Sequence, residues 1–237
     1  MSAFGTATFD ARVYDTESRF DQNNLGAAGG ITVIKDNNFY RGTVSFYRML
    51  LENDRFRDVT SVSGEWQRQL DELQAINAFV QAAELNYTGA NSLRDSYFYT
   101  IGLGYRRAFI HRWQPLVSAS LYLGNEDVTS AERSDLSRDV RGLRVSASLT
   151  PAPKWGLGVG FTYQNSDYDG GDPQPAGFPP LPARKDNYRA TDVSASYALT
   201  REVSLRGELL LTKNDSNNAL YEYRRNVAAF KLRYDFR

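Results

Sequence analysis

From Trp155 to Gln164 the chain alternates without a break. Trp155, Leu157, Val159, Phe161 and Tyr163 interleave with Gly156, Gly158, Gly160, Thr162 and Gln164. A period of two belongs to a β-strand, whose successive side chains point to opposite faces. The pattern recurs in Tyr97, Tyr99, Ile101, Leu103 and Tyr105, in Leu143, Val145, Ala147 and Leu149, and in Val193, Ala195, Tyr197 and Leu199. It returns at the chain end in Ala228, Phe230, Leu232, Tyr234 and Phe236. The intervening residues are mostly small and polar, with scattered charges. A sandwich in water would turn the apolar face inward and load the other face with Lys and Glu. Here Tyr and Trp edge the apolar face, as in a lipid-facing wall with aromatic girdles around a polar interior.

Composition narrows the choice. The 237 residues hold 28 Lys+Arg against 28 Asp+Glu, one His and no Cys, while aromatic residues make up 13%. Disulfides and cysteine metal sites are excluded, and one His argues against a histidine-built metal centre. The balanced charge gives no basic footprint for nucleic acid. No apolar run approaches the ~18 residues of a membrane helix. The frequent aromatics do not suit a disordered chain.

Twelve strands are predicted, at 5–15, 25–36, 39–51, 58–69, 74–87, 95–109, 113–124, 139–150, 155–166, 187–199, 203–213 and 221–236. Short connections (37–38, 70–73, 110–112, 151–154, 200–202) alternate with longer ones (16–24, 52–57, 88–94, 125–138, 167–186, 214–220). Such alternation distinguishes the periplasmic from the external end of an outer-membrane barrel. The expected fold is therefore all-β, a transmembrane antiparallel up-and-down β-barrel of about 12 strands, forming one domain over 1–237 in the bacterial outer membrane. An even strand number puts both termini at the short-turn end. Residues 71–85 are rich in helix formers and alone would read as a helix; the strand at 74–87 is kept because the alternation of connections requires it. Met1-Ser2 leads straight into the first strand with no leader, which suggests a mature fragment with an added start Met.

Few residues invite chemistry. His111 falls in a short turn on the inner rim, away from any nucleophile, and reads as an exposed interfacial residue. The glycines at 26–30 and 156–160 lack the strand-to-helix context of a phosphate loop; within a strand they make room on an inward face. The loop 125–138 carries several acids without EF-hand spacing and reads as solvated. Five of the eight prolines lie in 167–186, an external loop in one reading and a constriction folded into the mouth in the other. No catalytic residue, metal or cofactor is expected, and the chain is expected not to be an enzyme.

The pattern points twelve charges inward: Asp10, Arg12, Arg41, Glu65, Arg106, Arg144, Asp192, Arg206, Glu208, Lys231, Arg233 and Asp235. On barrel closure, eight of them on strands ten, eleven, twelve and one would share a patch. They form either a bracing ladder of opposite charges or a pore lining that screens solutes by sign, and the two can coexist.

Residues Phe230-Lys231-Leu232-Arg233-Tyr234-Asp235-Phe236 resemble the C-terminal signal strand of Gram-negative outer-membrane proteins, here followed by Arg237. The resemblance implies recognition by the outer-membrane assembly machinery. Residues 215–226, Asp-Ser-Asn-Asn-Ala-Leu-Tyr-Glu-Tyr-Arg-Arg-Asn, resemble the last loop and strand of barrels that follow periplasmic tetratricopeptide repeats, such as surface lipoprotein assembly modifiers. That implies a role in export. The expected function is a pore or translocation channel, or the barrel domain of a larger export protein. Its partners would be the lipid bilayer and lipopolysaccharide, the assembly machinery and an exported protein or small solute, with no nucleic acid. The alternatives are a rigid scaffold whose long loops bind a partner as adhesin or receptor, an enzyme with a carboxylate rim site, and, at the level of fold, a soluble sandwich.

Overall fold

The computed structural model describes residues 1–12, 21–174, 177, 179 and 181–234, with nothing stated of the Arg12 side chain. Twelve strands form one antiparallel sheet in chain order: β1 (Ser2–Arg12), β2 (Gln22–Lys35), β3 (Asn38–Leu51), β4 (Asp54–Gln69), β5 (Gln74–Tyr87), β6 (Ser96–Ala108), β7 (Leu116–Val128), β8 (Arg138–Leu149), β9 (Trp155–Tyr168), β10 (Lys185–Ala198), β11 (Val203–Ser216) and β12 (Tyr223–Tyr234). This is the up-and-down sheet of a β-barrel. Ladders join consecutive strands, and among the described residues none joins β12 to β1. No helix among those residues is long and apolar enough to cross a membrane.

The sheet is inside out relative to a sandwich. Among the described residues only Ala75, Ala83, Val140 and Ala190 are buried apolar side chains, fewer than the buried polar ones, which include Asn24, Ser61, Ser96, Ser166 and Thr212. The large aliphatics face outward: Ile101 is 57% exposed, Leu103 66%, Leu121 63% and Leu123 59%. Cross-strand partners share a face, so Leu103, Leu121 and Leu143 form one continuous outer row. In water such a surface would aggregate; in hydrocarbon it is solvated.

Aromatic residues mark the short-turn end of the outer face at Tyr40, Trp66, Tyr105, Trp155, Tyr197 and Tyr234. Their polar tips bond toward the turns: Trp66 Nε1 donates to Asn38 Oδ1 at 3.0 Å, and Tyr105 Oη to Gln74 Oε1 at 2.6 Å. Trp155 and Tyr197 pack with centroids 4.9 Å apart. On β6 the outer face runs from Tyr97 to Tyr105. That is about 26 Å of strand, which a tilt of roughly 40° reduces to about 20 Å, close to the usual apolar band.

Side chains close several tight turns. Asp71 Oδ1 accepts from the amides of Leu73 and Gln74, both at 2.8 Å. Thr200 Oγ1 accepts from those of Glu202 and Val203. The helix-favouring residues of β5 pair with both β4 and β6 over nearly the whole strand, so tertiary pairing overrides local propensity. Two connections and one strand depart from expectation. β3 and β4 are joined on the long side by only Glu52-Asn53, both with positive φ (51° and 69°), the geometry of a type I′ hairpin. Residues 109–115 make a seven-residue connection on the short side, because β7 starts at Leu116, three residues later than expected, and extends to Val128. β1 starts at Ser2, and positions 13–15 of its expected span lie outside the described residues.

The two faces should respond oppositely to charge. Leu121→Arg, on the outer row, is expected to cost about 2–4 kcal/mol of folding free energy in lipid. Ser120→Arg, one residue away on the inner face, should cost less than about 1 kcal/mol. Denaturant titration of vesicle-inserted protein compares them.

Candidate inner-face site and loop clasp

The inner face carries a run of glycines along β9. Gly156, Gly158 and Gly160 sit between Ser146 and Ser148 of β8 and Asp192, Ser194 and Ser196 of β10. Here the missing side chains matter. A Cβ on Gly156 would lie 2.7 Å from Ser196 Oγ, and one on Gly158 2.9 Å from Ser194 Oγ. The neighbouring side chains thus lean over the glycines, and a polar cavity of about 380 Å³ opens beside them, lined by serines together with Asp192 and Arg206.

The twelve predicted inward charges fall into several groups. Glu208 accepts from Arg206 Nε at 2.7 Å and from Lys231 Nζ at 2.6 Å, a three-member ladder across β11 and β12. Asp192, Arg106 and Arg144 make no ion pair among the described residues; Arg144 Nε donates to Thr162 Oγ1 at 3.4 Å. Arg41 stands opposite Glu65 in register, yet its guanidinium lies over the rings of Phe4 and Phe39 at 5.4 and 5.0 Å. Asp10 accepts from Asn24 Nδ2 at 3.1 Å. Arg12 pairs by backbone with Gln22, and Arg233 stands opposite Ser204. Asp235 lies outside the described residues. His111 is exposed in its turn, with Nδ1 accepting from the Trp113 amide at 3.2 Å.

At the long-loop end stands a polar cluster that reading the sequence missed. The Arg184 guanidinium is sandwiched between the Tyr168 and Tyr221 rings, 3.5 and 3.7 Å from their centroids, and Arg184 is only 8% exposed. Tyr221 Oη and Asn218 Nδ2 each donate to the Asp172 carboxylate at 2.8 Å. Arg133 forks onto Asp135, both bonds at 3.0 Å, with Asp172 beside it at 3.9 Å. Below, Arg138 bridges Glu126 and the Tyr168 hydroxyl. Residues of the connections 129–137, 169–184 and 217–222 are thereby held together. The expected solvated loop at 125–138 is corrected on this geometry: residues 125–128 belong to β7, and Arg133 and Asp135 are clasp members. A signal was available, since Tyr168 and Arg184 flank the two roots of the Pro-rich segment.

Burial, and then the hydrogen bond to Asp172, push the Tyr221 phenol above its usual range. The hydrogen bond to Asp135 raises the Arg133 guanidinium. A phenol with a raised folded pKa stabilises the clasp fully below the free value of about 10 and loses that contribution as pH rises through the raised value. Protection of residues 169–184 from proteinase K should therefore persist at pH 10 and fall above it. Tyr221→Phe should lose about 1 kcal/mol, cleaving roughly fivefold faster at pH 8, without the alkaline step.

No protein-family model matches the sequence, and no curated protein matches it. Solved structures are similar at low identity. The siderophore receptor PirA from Pseudomonas aeruginosa is 12% identical, with 99% of this chain and 42% of that one covered and a TM-score of 0.45. OmpT, an outer membrane protein of Vibrio cholerae, is 11% identical, with 98% and 95% covered and a TM-score of 0.49. The alcaligin outer membrane receptor FauA from Bordetella pertussis is 16% identical, with 99% and 41% covered and a TM-score of 0.36. The chain spans about two fifths of the length of PirA and of FauA. The expectation that the chain is not an enzyme is withdrawn: the described residues give no ground for excluding catalysis. The exposed aliphatic wall, its aromatic band and the polar inner face are those of an outer-membrane β-barrel, and the bacterial outer membrane is this chain's location.

Proposed function

We propose that this chain forms the wall of a pore for small polar solutes. The observation that carries the reading is the glycine-floored trough of β8–β10 with uncompensated charge at its margins. Arg106, Ser118, Ser146, Gly160 and Asp192 are successive cross-strand partners on five strands. A cation and an anion thus stand on one inner row, about 19 Å apart along the sheet at the usual strand spacing, with only hydroxyls and a glycine between. Paired charges brace a wall; unpaired ones act on whatever passes. A dipolar or polyhydroxyl solute would exchange its hydration for these hydroxyls and align along the row.

A second reading draws on the clasp. Connections fixed by a stacked arginine and shared carboxylates make a rigid platform of the sort a binding surface needs. Under it, replacing residues 173–181 abolishes partner binding and leaves ion flow unchanged.

Planar-bilayer recording on refolded protein, with folding checked by a heat-sensitive gel shift, tests the pore. Discrete current steps are expected. Gly158→Trp should roughly halve the step by filling the trough. Asp192→Asn should move the reversal potential in a salt gradient toward anion selectivity. Silence from folded protein, or an unchanged step in Gly158→Trp, overturns the reading.

A further inference from the structure

The outer wall carries a feature that a pore does not require. Arg189 on β10, Lys213 on β11 and Arg224 on β12 are direct cross-strand partners, so three cations stand side by side in one row. They share the outward face with Val193, Leu209, Leu211 and Phe230, at its long-loop end. Like charges directly opposite each other destabilise a sheet. Elsewhere on this rim outward arginines sit directly on a carboxylate: Arg141 pairs with Asp167, and Asp58 takes both Arg48 and Arg55, at 2.8 and 2.9 Å. In the row a single acid, Asp215, serves all three; it pairs with Lys213, and Arg189 and Arg224 act on it only through their field. Arg189 and Arg224 make no ion pair among the described residues and are solvent-exposed.

A second, independent feature lies below on the same strands. An apolar groove of about 520 Å³ crosses the outer face of β8–β12, walled by Leu157, Val159, Leu209 and Phe230 over Ala195 and Gly207. Four residues separate Arg189 from Val193, Lys213 from Leu209 and Arg224 from Ala228, which is about 13 Å of strand. Cations at the edge of an apolar band, with a groove beneath them, match a ligand with a negative head and a hydrocarbon tail.

We infer that the Arg189–Lys213–Arg224 row and the groove beneath it bind a phosphorylated lipid of the surrounding leaflet. Its phosphate lies across the three side chains, and one acyl chain lies in the groove. Phosphate suits the row because its several oxygens accept from neighbouring cations at once. The groove commits the site to a membrane lipid in preference to a free anion.

Native mass spectrometry of the full refolded chain in neutral detergent tests this. The probes are diphosphoryl lipid A, the same lipid with its phosphates removed, and inorganic phosphate. The diphosphoryl lipid should be retained and the dephosphorylated one lost. Millimolar inorganic phosphate should not displace it. The triple variant Arg189→Gln, Lys213→Gln, Arg224→Gln should bind about a hundredfold more weakly. Relieved of mutual repulsion, it should also melt at a higher temperature than the wild type in lipid-free detergent. Gly207→Leu, which fills the groove, should weaken lipid retention while keeping the row. Arg141→Gln should bind as the wild type does. Equal retention of both lipids, displacement by inorganic phosphate, or full binding by the triple variant overturns the assignment. The single variant Arg224→Gln, with an intermediate loss expected, serves if the triple variant fails the gel-shift test. Channel steps unchanged in the triple variant would separate this site from the pore.

Discussion

Hydrocarbon offers no hydrogen bonds, and that constraint organises the molecule. Every backbone N–H and C=O within the apolar band needs a partner from the chain itself, and the continuous ladders from β1 to β12 supply them strand by strand. Once the backbone is committed to a sheet, side chains have only two places to go. The outer face meets lipid and must be apolar; the inner face meets water and is free to be otherwise. The scarcity of buried apolar residues follows from that division, because the apolar surface is satisfied by lipid instead of by a core. The same constraint bears on β1 and β12, whose outer edges need strand partners wherever they lie in hydrocarbon.

Within that frame, pairing decides what a charge does. Arg206, Glu208 and Lys231 neutralise one another and stiffen two neighbouring strands. Arg41 turns from Glu65 to two phenyl rings, and its field stays available to the interior. Among the described residues, Asp192, Arg106 and Arg144 are left without ion pairs over a floor of glycine and serine. A wall built only for stability would not leave them so, because opposite charges in register add to strand pairing. The inner face therefore combines a braced sector and a sector whose charge is open to solvent.

The strands were legible because alternation is a local property. Trp155–Tyr163 announces its two faces within nine residues, and no knowledge of neighbours is needed. The β5 segment shows the limit: Ala75–Leu85 carries helix formers, and only the need for an antiparallel partner between β4 and β6 makes it a strand. Glu52-Asn53 was hidden for a different reason. A type I′ turn is usually signalled by glycine, and here Glu and Asn take the left-handed positions without one. Parity assigns a charge to a face, but it does not give the pairing within that face, since register depends on turn length and on the slip between Met49 and Leu50. The clasp was the least legible. Tyr168 and Arg184 lie at opposite ends of one connection and Tyr221 in another; they share no periodicity, and only the fold brings the three side chains together.

The two ends of the sheet are consequently built by different means. At the short-turn end, order is local: Asp71 and Thr200 cap their own turns within three residues, and tyrosines and tryptophans fix the depth of the wall. At the long-loop end, order is collective. Arg184 needs rings from two other segments, and Asp172 needs donors from Tyr221 and Asn218. Local turns can form as each hairpin forms, whereas the clasp can close only after β7 through β12 are in place. The Pro-rich segment cannot extend the sheet, so its position depends on its two roots. Tyr168 and Arg184 stand at those roots, stacked on each other, and a force that parts them releases the loop without disturbing the strands below.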